Sequence, residues 1–273
     1  QVQKKDAQNF TLSAQLPPVA GADQEITVRL GELRSVQPAR VFAILPNRRP
    51  RYLTENGTIL HNGKPFFPIG MYHPYRIETD YPLLAENGFN AVQGTATANL
   101  EEFKKSLDLA QKYGLAVDVP FYGGGKVKGN LSNSLEKIRR FADHPAVLCW
   151  KIIDEPDIQS NTEVSAEVPE AYRAFKAADP NHPIELTLAH DATLPFWAKF
   201  CDIVQIDRYP VPQRPLTAVS DFSRNAVAAM EPWQNLTFVV QSGWVQDLSN
   251  QPTAAQARSM VYLALTSGAK GIF

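Results

Sequence analysis

The sequence has few of the residues that support cross-links, metal sites or serine chemistry. Its two cysteines, Cys149 and Cys201, lie in or beside apolar segments, and we interpret them as small core residues. The five histidines show neither the H-x-H nor the H-E-x-x-H spacing, so we expect no metal and no other cofactor. A Gly-x-Ser-x-Gly elbow is also missing, which disfavours a serine hydrolase.

Strong charge and long hydrophobic runs are also missing. The formal net charge is −1 and charged residues make up 20% of the chain, so no global field attracts it to nucleic acid or an anionic membrane. No apolar run approaches the ~20 residues that span a bilayer. We therefore expect a partner that is a neutral or weakly charged small molecule, and the sequence does not indicate an oligomeric state.

Weak signals favour export. Four Asn-X-Ser/Thr triplets begin at Asn9, Asn56, Asn130 and Asn235. Gln1 does not begin a signal peptide, so we expect a processed or trimmed chain that is secreted or periplasmic.

The chain is predicted to contain two domains. Residues 1–52 alternate apolar and polar positions with proline-rich breaks, which indicates a small β region, interpreted as the tail of a β-sandwich. Two Asn-Gly pairs, at 56–57 and 62–63, then predict tight hairpin turns. Residues 53–273 form the second predicted domain.

In that domain short apolar strands alternate with helical patterns, which predicts a parallel sheet. The predicted strands are Phe66–Met71, Asn90–Gln93, Leu115–Val119, Val147–Ile153, Ile184–Leu188, Ile203–Ile206, Phe238–Gln241 and Gly271–Phe273. The predicted helices are Leu100–Tyr113, Leu135–Ala142, Pro169–Ala178, Leu216–Met230 and Ala254–Thr266. Eight strands that alternate with helices predict an α/β fold, a (β/α)₈ TIM barrel. The given sequence ends in the eighth strand, so we expect further sequence to complete the barrel.

A doubly wound open sheet is the competing architecture. It would require a glycine-rich phosphate turn after an early strand. Gly70 stands alone, and the run Gly123–Gly125 matches no phosphate-binding fingerprint, so we interpret that run as a mobile active-site loop.

The stretch from His144 to Asp157 is the most informative. An almost unbroken apolar strand ends abruptly in Asp154, Glu155 and Asp157 around a proline. In parallel α/β folds the chemistry lies at the carboxyl ends of strands. A solvated carboxylate beside the next helix is the alternative interpretation of Glu155.

Other candidate residues follow other predicted strands. They are Tyr72 and His73, Tyr122, His190, Asp207 and Tyr209, and Gln241 and Trp244. Carboxylates beside aromatic rings and amide or imidazole donors suit a sugar, because its C–H faces stack on rings while its hydroxyls need directional partners. These residues also have a structural interpretation. The histidines would then be structural residues with satisfied hydrogen bonds, and Asp207 would form an ion pair with Arg208 or Arg76.

Four segments together resemble the barrels of clan A glycoside hydrolases, which include β-galactosidase-like and cellulase-like enzymes. They are 62–72, 144–156, 201–210 and 268–273, within a resemblance that covers roughly 53–273. The resemblance implies that Glu155 is the general acid/base. It also implies that the preceding residue, here Asp154, contacts the sugar, and that the residue ending strand seven, here Gln241, stands at the position of the nucleophile.

This sequence departs from the family pattern at two of these positions. Asp154 replaces an asparagine, and Gln241 replaces the nucleophilic glutamate, although an amide cannot form the glycosyl ester of a retaining mechanism. Gln241 may be an inactivating change, another carboxylate may complete catalysis, or the barrel may bind sugar without cleaving it. We therefore expect a glycoside hydrolase acting on a neutral oligo- or polysaccharide, with a catalytically silent carbohydrate-binding barrel as the alternative.

If Gln241 is natural and the protein is active, we expect it to invert the anomeric configuration. Glu155 would be the acid and Asp207 the leading candidate for the base, with their carboxyl groups ~6.5–9.5 Å apart.

Overall fold

The chain forms two compact units, Gln1–Pro46 and Asn47–Phe273. A computed structural model describes the backbone of four strands in the first unit, and residues 49–72, 74, 76–121, 127–158, 162–243 and 251–273, without the side chains of 128, 129 and 162–166. Within the first unit, β1 (Val2–Lys4) pairs antiparallel with β2 (Phe10–Leu12), and β3 (Asp23–Leu30) with β4 (Leu33–Arg40). The predicted N-terminal β region is confirmed, and its boundary at residue 52 stays a prediction.

The second unit opens with a hairpin of β5 (Ile59–His61) and β6 (Lys64–Phe66). Asn62 and Gly63 connect them with φ values of 50° and 75°. A turn with positive φ at both central residues matches the twist of the flanking strands, which is why Asn-Gly favours it. The predicted hairpin turn at this pair is confirmed.

The main sheet is parallel and its strands follow chain order without interruption. Its strands and the helices between them are β7 (Gly70–Met71), α1 (Ile77–Glu86), β8 (Ala91–Gln93), α2 (Leu100–Lys112), β9 (Ala116–Pro120), α3 (Val127–Phe141), β10 (Val147–Asp154), α4 (Thr162–Ala178), β11 (Ile184–Leu188), α5 (Leu194–Trp197), β12 (Ile203–Arg208), α6 (Ala218–Ala229), β13 (Asn235–Val240) and α7 (Ala254–Thr266). Strand–helix alternation with sequential parallel pairing is the topology of a (β/α) barrel.

The segment Gly271–Phe273 closes the sheet on itself. Ile272 forms parallel bridges to Ile69 on one side and to Phe238 on the other. The N–H of Gly70 donates to the Ile272 carbonyl at 2.7 Å, and the N–H of Val240 donates to the Phe273 carbonyl at 2.8 Å. The segment therefore occupies the place of the eighth strand, and the predicted TIM-barrel fold is confirmed.

Strands and helices follow from the burial pattern of the sequence. Strands β8, β9, β11 and β13 are buried at every position, as expected for strands covered on both faces. Helix α2 buries Phe103, Leu107 and Ala110, which recur at helical spacing. Its N-cap Asn99 accepts hydrogen bonds from two backbone N–H groups of the first turn.

Four helices differ from the prediction. Helices α1 and α5 are absent from it, and α1 continues through Pro82. Helix α4 begins at Thr162 rather than at the predicted Pro169. Helix α3 likewise begins at Val127, eight residues before the predicted Leu135.

A polar cluster is buried among the aromatic side chains outside strand β10. Trp150 Nε1 donates to Asp179 Oδ2 at 2.8 Å, and His182 Nδ1 lies 2.6 Å from the same oxygen. Burial alone raises the pKa of Asp179, but the hydrogen bonds from His182 and Trp150 lower it to about 2. The cluster is held by internal partners and therefore has a structural role.

Gly70 allows the closing segment to approach. A Cβ atom built there would lie 2.3 Å from Phe273 Cε1. We expect Gly70→Ala to lower the free energy of unfolding by about 1–3 kcal/mol through overpacking, measured by urea denaturation. Gly243→Ala is the matched control, because a Cβ at that position meets nothing within 4 Å. Equal stability of the two variants would contradict tight packing at the closure.

Candidate functional site

Asp154 and Glu155 lie where β10 leaves the sheet. Glu155 has φ of 46°, in the left-handed region that non-glycine residues rarely adopt. Its N–H donates to the Thr187 carbonyl at 3.0 Å, which ties the strained residue to the neighbouring strand β11. A strained non-glycine residue held by its surroundings is typical of functional sites.

The side chains of Glu155 and Asp207, the latter near the end of β12, lie close enough for each to change the pKa of the other. Loss of a proton from one such group makes loss of a proton from the other harder. The phenol of Tyr209 is a third member and interacts with Asp207. Asp207 is 7% exposed, and its Oδ1 has no hydrogen-bond partner among the described residues.

The two acids hold their protons more tightly than free carboxyl groups do. Burial raises the pKa of Glu155, and the charges of Asp154 and Asp157 raise it further, against lowering contributions from Asp207 and His190. Burial, the hydrogen bond with Glu155 and that residue's charge raise the pKa of Asp207 well above its ordinary value. The pair therefore titrates as a unit that retains a proton toward neutral pH.

The spacing expected between these two acids, ~6.5–9.5 Å to admit a water between the carboxyl groups, stays a prediction. Glu155 and Asp207 influence each other's pKa across the intervening strand β11, although their strands are not neighbours in the sheet. The alternative pairing of Asp207 with Arg208 does not form, because Arg208 Nη2 donates to Asp191 Oδ1 at 2.9 Å.

Asp154 points into a second, more deeply buried group. It accepts a hydrogen bond from the Tyr72 hydroxyl at 2.5 Å, and that hydroxyl lies 3.3 Å from Thr187 Oγ1. Lys151 Nζ donates to the Tyr72 hydroxyl at 2.7 Å and is 3.8 Å from Asp154 Oδ1. The structure therefore brings the predicted residues Tyr72 and Asp154 together beside Glu155.

Asp157 organises the loop that follows β11. Its carboxylate accepts hydrogen bonds from the backbone N–H groups of Ala189 and His190 at 3.0 and 2.8 Å, and from Thr193 Oγ1 at 3.0 Å. His190 itself is exposed and close enough to Glu155 to influence its charge. The third acid of the motif thus holds His190 in the site.

Gln241 is 1% exposed and is paired with the backbone. Its Oε1 accepts from the N–H of Val211 at 3.0 Å, and its Nε2 donates to the carbonyl of Val211 at 2.9 Å. The amide thus acts like a second peptide group and holds the loop that carries Tyr209. A catalytic role for Gln241 stays a prediction.

Three further predicted residues, His73, Tyr122 and Trp244, lie outside the described residues, as does the run Gly123–Gly125. A cavity of about 430 Å³ opens beside the described part of the site. Tyr72 and Tyr209 both line it, together with Gln241 and apolar residues of β7 and β13. Aromatic and apolar walls next to carboxyl groups are suited to the faces of a sugar ring.

Three buried side chains of the kinds that bind metals, Asp118, Cys149 and Glu185, lie within 4.8 Å of one another. Lys151 Nζ is 3.4 Å from an Asp118 oxygen and 3.3 Å from a Glu185 oxygen. The ammonium group supplies the positive charge that these acids need, so we do not assign the cluster as a metal site.

Lys151 was not predicted, nor was its acceptor Gln205, to which Thr187 Oγ1 also donates. The available signal was a lysine inside an otherwise apolar strand, since lysine is almost never fully buried unless it is paired. Lys151 is 0% exposed, which identifies it as part of an internal charge network.

The chain is similar in sequence to parts of longer known proteins. No family model matches the chain. The β-glucuronidase of Chlorocebus aethiops is 24% identical over 207 residues, which cover 67% of this chain and 31% of that protein. The chain therefore spans about a third of the length of the curated relatives it matches.

Solved structures show the same fold. A β-glucuronidase of an uncultured Clostridium species aligns with a TM-score of 0.58 and 17% identity, over 97% of this chain and 52% of that one. A β-galacturonidase of Eisenbergiella tayi, bound to galacturonate, aligns with a TM-score of 0.59 and 16% identity, over 88% and 47%. The likeness supports the barrel fold, and the chain is similar to a part of these glycoside hydrolases.

Replacement of Gln241 by glutamate, which has nearly the same shape, tests how well the amide matches the peptide group that it faces. In Gln241→Glu a carboxylate would face the carbonyl of Val211, so we expect the variant to lose about 1–3 kcal/mol of stability at neutral pH. A protonated glutamic acid can donate to that carbonyl as the amide does, so the folded state should raise its pKa. Stability is then retained below the unfolded-state value of ~4.3 and lost as pH rises through the folded-state value.

The measurement is urea denaturation of wild type and variant from acidic to neutral pH. Gln251→Glu, at an exposed position, is the control and should show little pH-dependent difference from wild type. A deficit in Gln241→Glu that does not change with pH would contradict the paired-amide geometry.

Proposed function

We propose that this barrel is a glycoside hydrolase that cleaves O-glycosidic bonds, with the Glu155–Asp207 pair as its proton donor. The interaction between these two carboxyl groups, with the raised pKa of each, is the observation that carries the proposal. A general acid for glycoside cleavage needs a carboxyl group that stays protonated near neutral pH. The similarity to glycoside hydrolases supports the same conclusion.

Within the pair, the roles divide by exposure. Asp207 is buried, whereas Glu155 is partly exposed at the carboxyl end of its strand. Glu155 would therefore deliver the proton of the pair to the leaving oxygen as the bond from that oxygen to the anomeric carbon breaks. A water molecule would add to that carbon and return a proton to the pair. Tyr209 would stabilise the Asp207 carboxylate while the pair lacks its proton.

The surrounding groups favour a neutral sugar. Asp154, Asp157 and Asp207 all lie close enough to Glu155 to influence its charge, and a substrate carboxylate would add to their repulsion. Tyr72 and Tyr209 offer aromatic surface beside these acids, and His190 is an exposed imidazole at the same edge.

A uronide is the second candidate substrate. The relatives named above are a β-glucuronidase and a β-galacturonidase, and both names specify acidic sugars. A catalytically silent sugar-binding barrel is the alternative from another class, and the occupied amide of Gln241 favours it. Secretion or periplasmic location stays part of the proposal; within the described residues, no helix has the length and hydropathy of a membrane span.

Replacement of the proton donor tests the activity. We expect Glu155→Gln to reduce turnover by at least about 100-fold, because removal of general acid catalysis typically costs 10²–10⁴-fold. The loss is measured on release of reducing sugar from oligosaccharides, whose leaving groups need a proton. Release of para-nitrophenol from paired glucosides, glucuronides, galactosides and galacturonides should fall less, because that leaving group needs little protonation, and it compares the substrate classes.

Glu86→Gln is the matched control, because Glu86 is exposed on α1 and far along the chain from the site. Unchanged activity of Glu155→Gln would refute the assignment. Sugar binding by calorimetry without turnover in the wild type would favour the binding barrel. Faster cleavage of uronides than of the paired neutral glycosides would favour the second substrate class.

The pH dependence tests the pairing itself. Activity should fall as pH rises through the raised pKa of the pair, because the proton donor is lost there. In Asp207→Asn no neighbouring carboxylate opposes the loss of the Glu155 proton. We therefore expect the basic limb of the pH profile to move to lower pH by about one unit. The check is the pH profile of kcat/KM, and a limb that stays in place would exclude Asp207 as the partner.

A further inference from the structure

A fully buried lysine lies directly beneath the candidate site. Lys151 is 0% exposed and projects from β10 three residues before Asp154. Its Nζ donates to Gln205 Oε1 at 2.8 Å and to the Tyr72 hydroxyl at 2.7 Å, and it lies 4.4 Å from the centre of the Tyr72 ring. No part of the Lys151 side chain is in contact with solvent.

The charge of Lys151 is fixed by its surroundings. Burial alone lowers its pKa, but Asp118, the Tyr72 oxygen, Glu185 and Asp154 raise it well above the ordinary value. Glu185 is buried beside Asp118 and hydrogen-bonded to it, and these two causes raise the pKa of Glu185 well above its ordinary value. Lys151 is therefore a permanent cation, and Glu185 is the neutral member of its acidic surroundings.

The hydrogen bonds run in one direction from this cation toward the site. An ammonium can only donate, so the Tyr72 oxygen accepts from Lys151. The single hydroxyl proton of Tyr72 then points to Asp154 Oδ1, at 2.5 Å. This hydrogen bond fixes the position of the Asp154 carboxyl group next to Glu155.

We propose that Lys151 is a positioning residue that acts through Tyr72 to hold the Asp154 carboxyl group beside Glu155, so that the Asp154 charge keeps the proton on the Glu155–Asp207 pair. The proposal rests on the proposed function of that pair. Asp154 stands next to Glu155 in the chain, and its charge acts on both members of the pair.

All charged and titratable groups around the site enter this balance. Those facing Lys151 are Asp118 on β9, Cys149 and Asp154 on β10, Glu185 on β11 and Tyr72 after β7. Those facing the pair are Asp154, Asp157, His190 and Tyr209. Lys151 is the cation in the first group, and His190 is the exposed imidazole in the second.

Tyr72→Phe is the discriminating variant. It removes the hydroxyl between Lys151 and Asp154 but leaves the ring over the ammonium and the acids around it. With the link broken, the Asp154 carboxyl group is no longer held beside Glu155 and repels the pair less. We expect the basic limb of the kcat/KM profile to move to lower pH by about one unit.

Thr187→Val is the matched control, because it removes the other hydroxyl near Tyr72 at 3.3 Å and leaves the link to Asp154 intact. Its basic limb should stay at the wild-type pH. A Tyr72→Phe variant with raised KM and an unmoved limb would overturn the proposal, since loss of a substrate contact alone has that effect. Lys151→Met should move the limb in the same direction if it folds.

A readout without turnover separates this proposal from the proposed function. The carboxyl ¹³C signals of Glu155 and Asp207 are titrated by NMR in wild type and Tyr72→Phe, with Glu155→Gln and Asp207→Asn for assignment. We expect the last deprotonation of the pair to occur at lower pH in Tyr72→Phe. Identical titrations would refute the role of Lys151 even in an active enzyme, whereas a shifted titration without any turnover would refute only the proposed function.

Discussion

Backbone hydrogen bonds from Gly271–Phe273 to the strands on both sides close the parallel ring, and the position of each described site residue depends on that closure. In a closed parallel sheet all carboxyl ends of the strands face one direction. Tyr72, Glu155 and Asp207 follow or end three different strands, and they are brought together although more than 50 residues separate each from the next in sequence. Only glycine fits at residue 70, where the ring of Phe273 packs against the first strand.

The closed sheet also places charged side chains inside the barrel, close to the candidate site. Side chains at alternate positions of its strands point inward, so Lys151, Glu185 and Gln205 share one water-poor interior. An unpaired charge there would be very costly, whereas a lysine held by acids and an amide is tolerated. The Tyr72 hydroxyl connects this interior charge to the candidate site, because it accepts a hydrogen bond from Lys151 and donates one to Asp154.

Local signals in the sequence were sufficient for the barrel, its strand positions and the acids at the end of strand β10. The switch from apolar to acidic residues at Asp154 identified the site because burial and strand ends follow directly from composition. Contacts across the ring could not be predicted in this way. The contact of Glu155 with Asp207 depends on side-chain reach over a whole strand, and the pairing of Gln241 depends on the path of the loop at Val211.

The immediate surroundings account for Asp154 and Gln241, the two positions at which the resemblance implies an asparagine and a glutamate. Asp154 lies at the end of a hydrogen-bond chain from an ammonium, where a carboxylate accepts the Tyr72 proton. Gln241 faces a peptide group that presents both a donor and an acceptor, and an amide matches both where a carboxylate matches only one. Each side chain therefore matches the donors and acceptors around it.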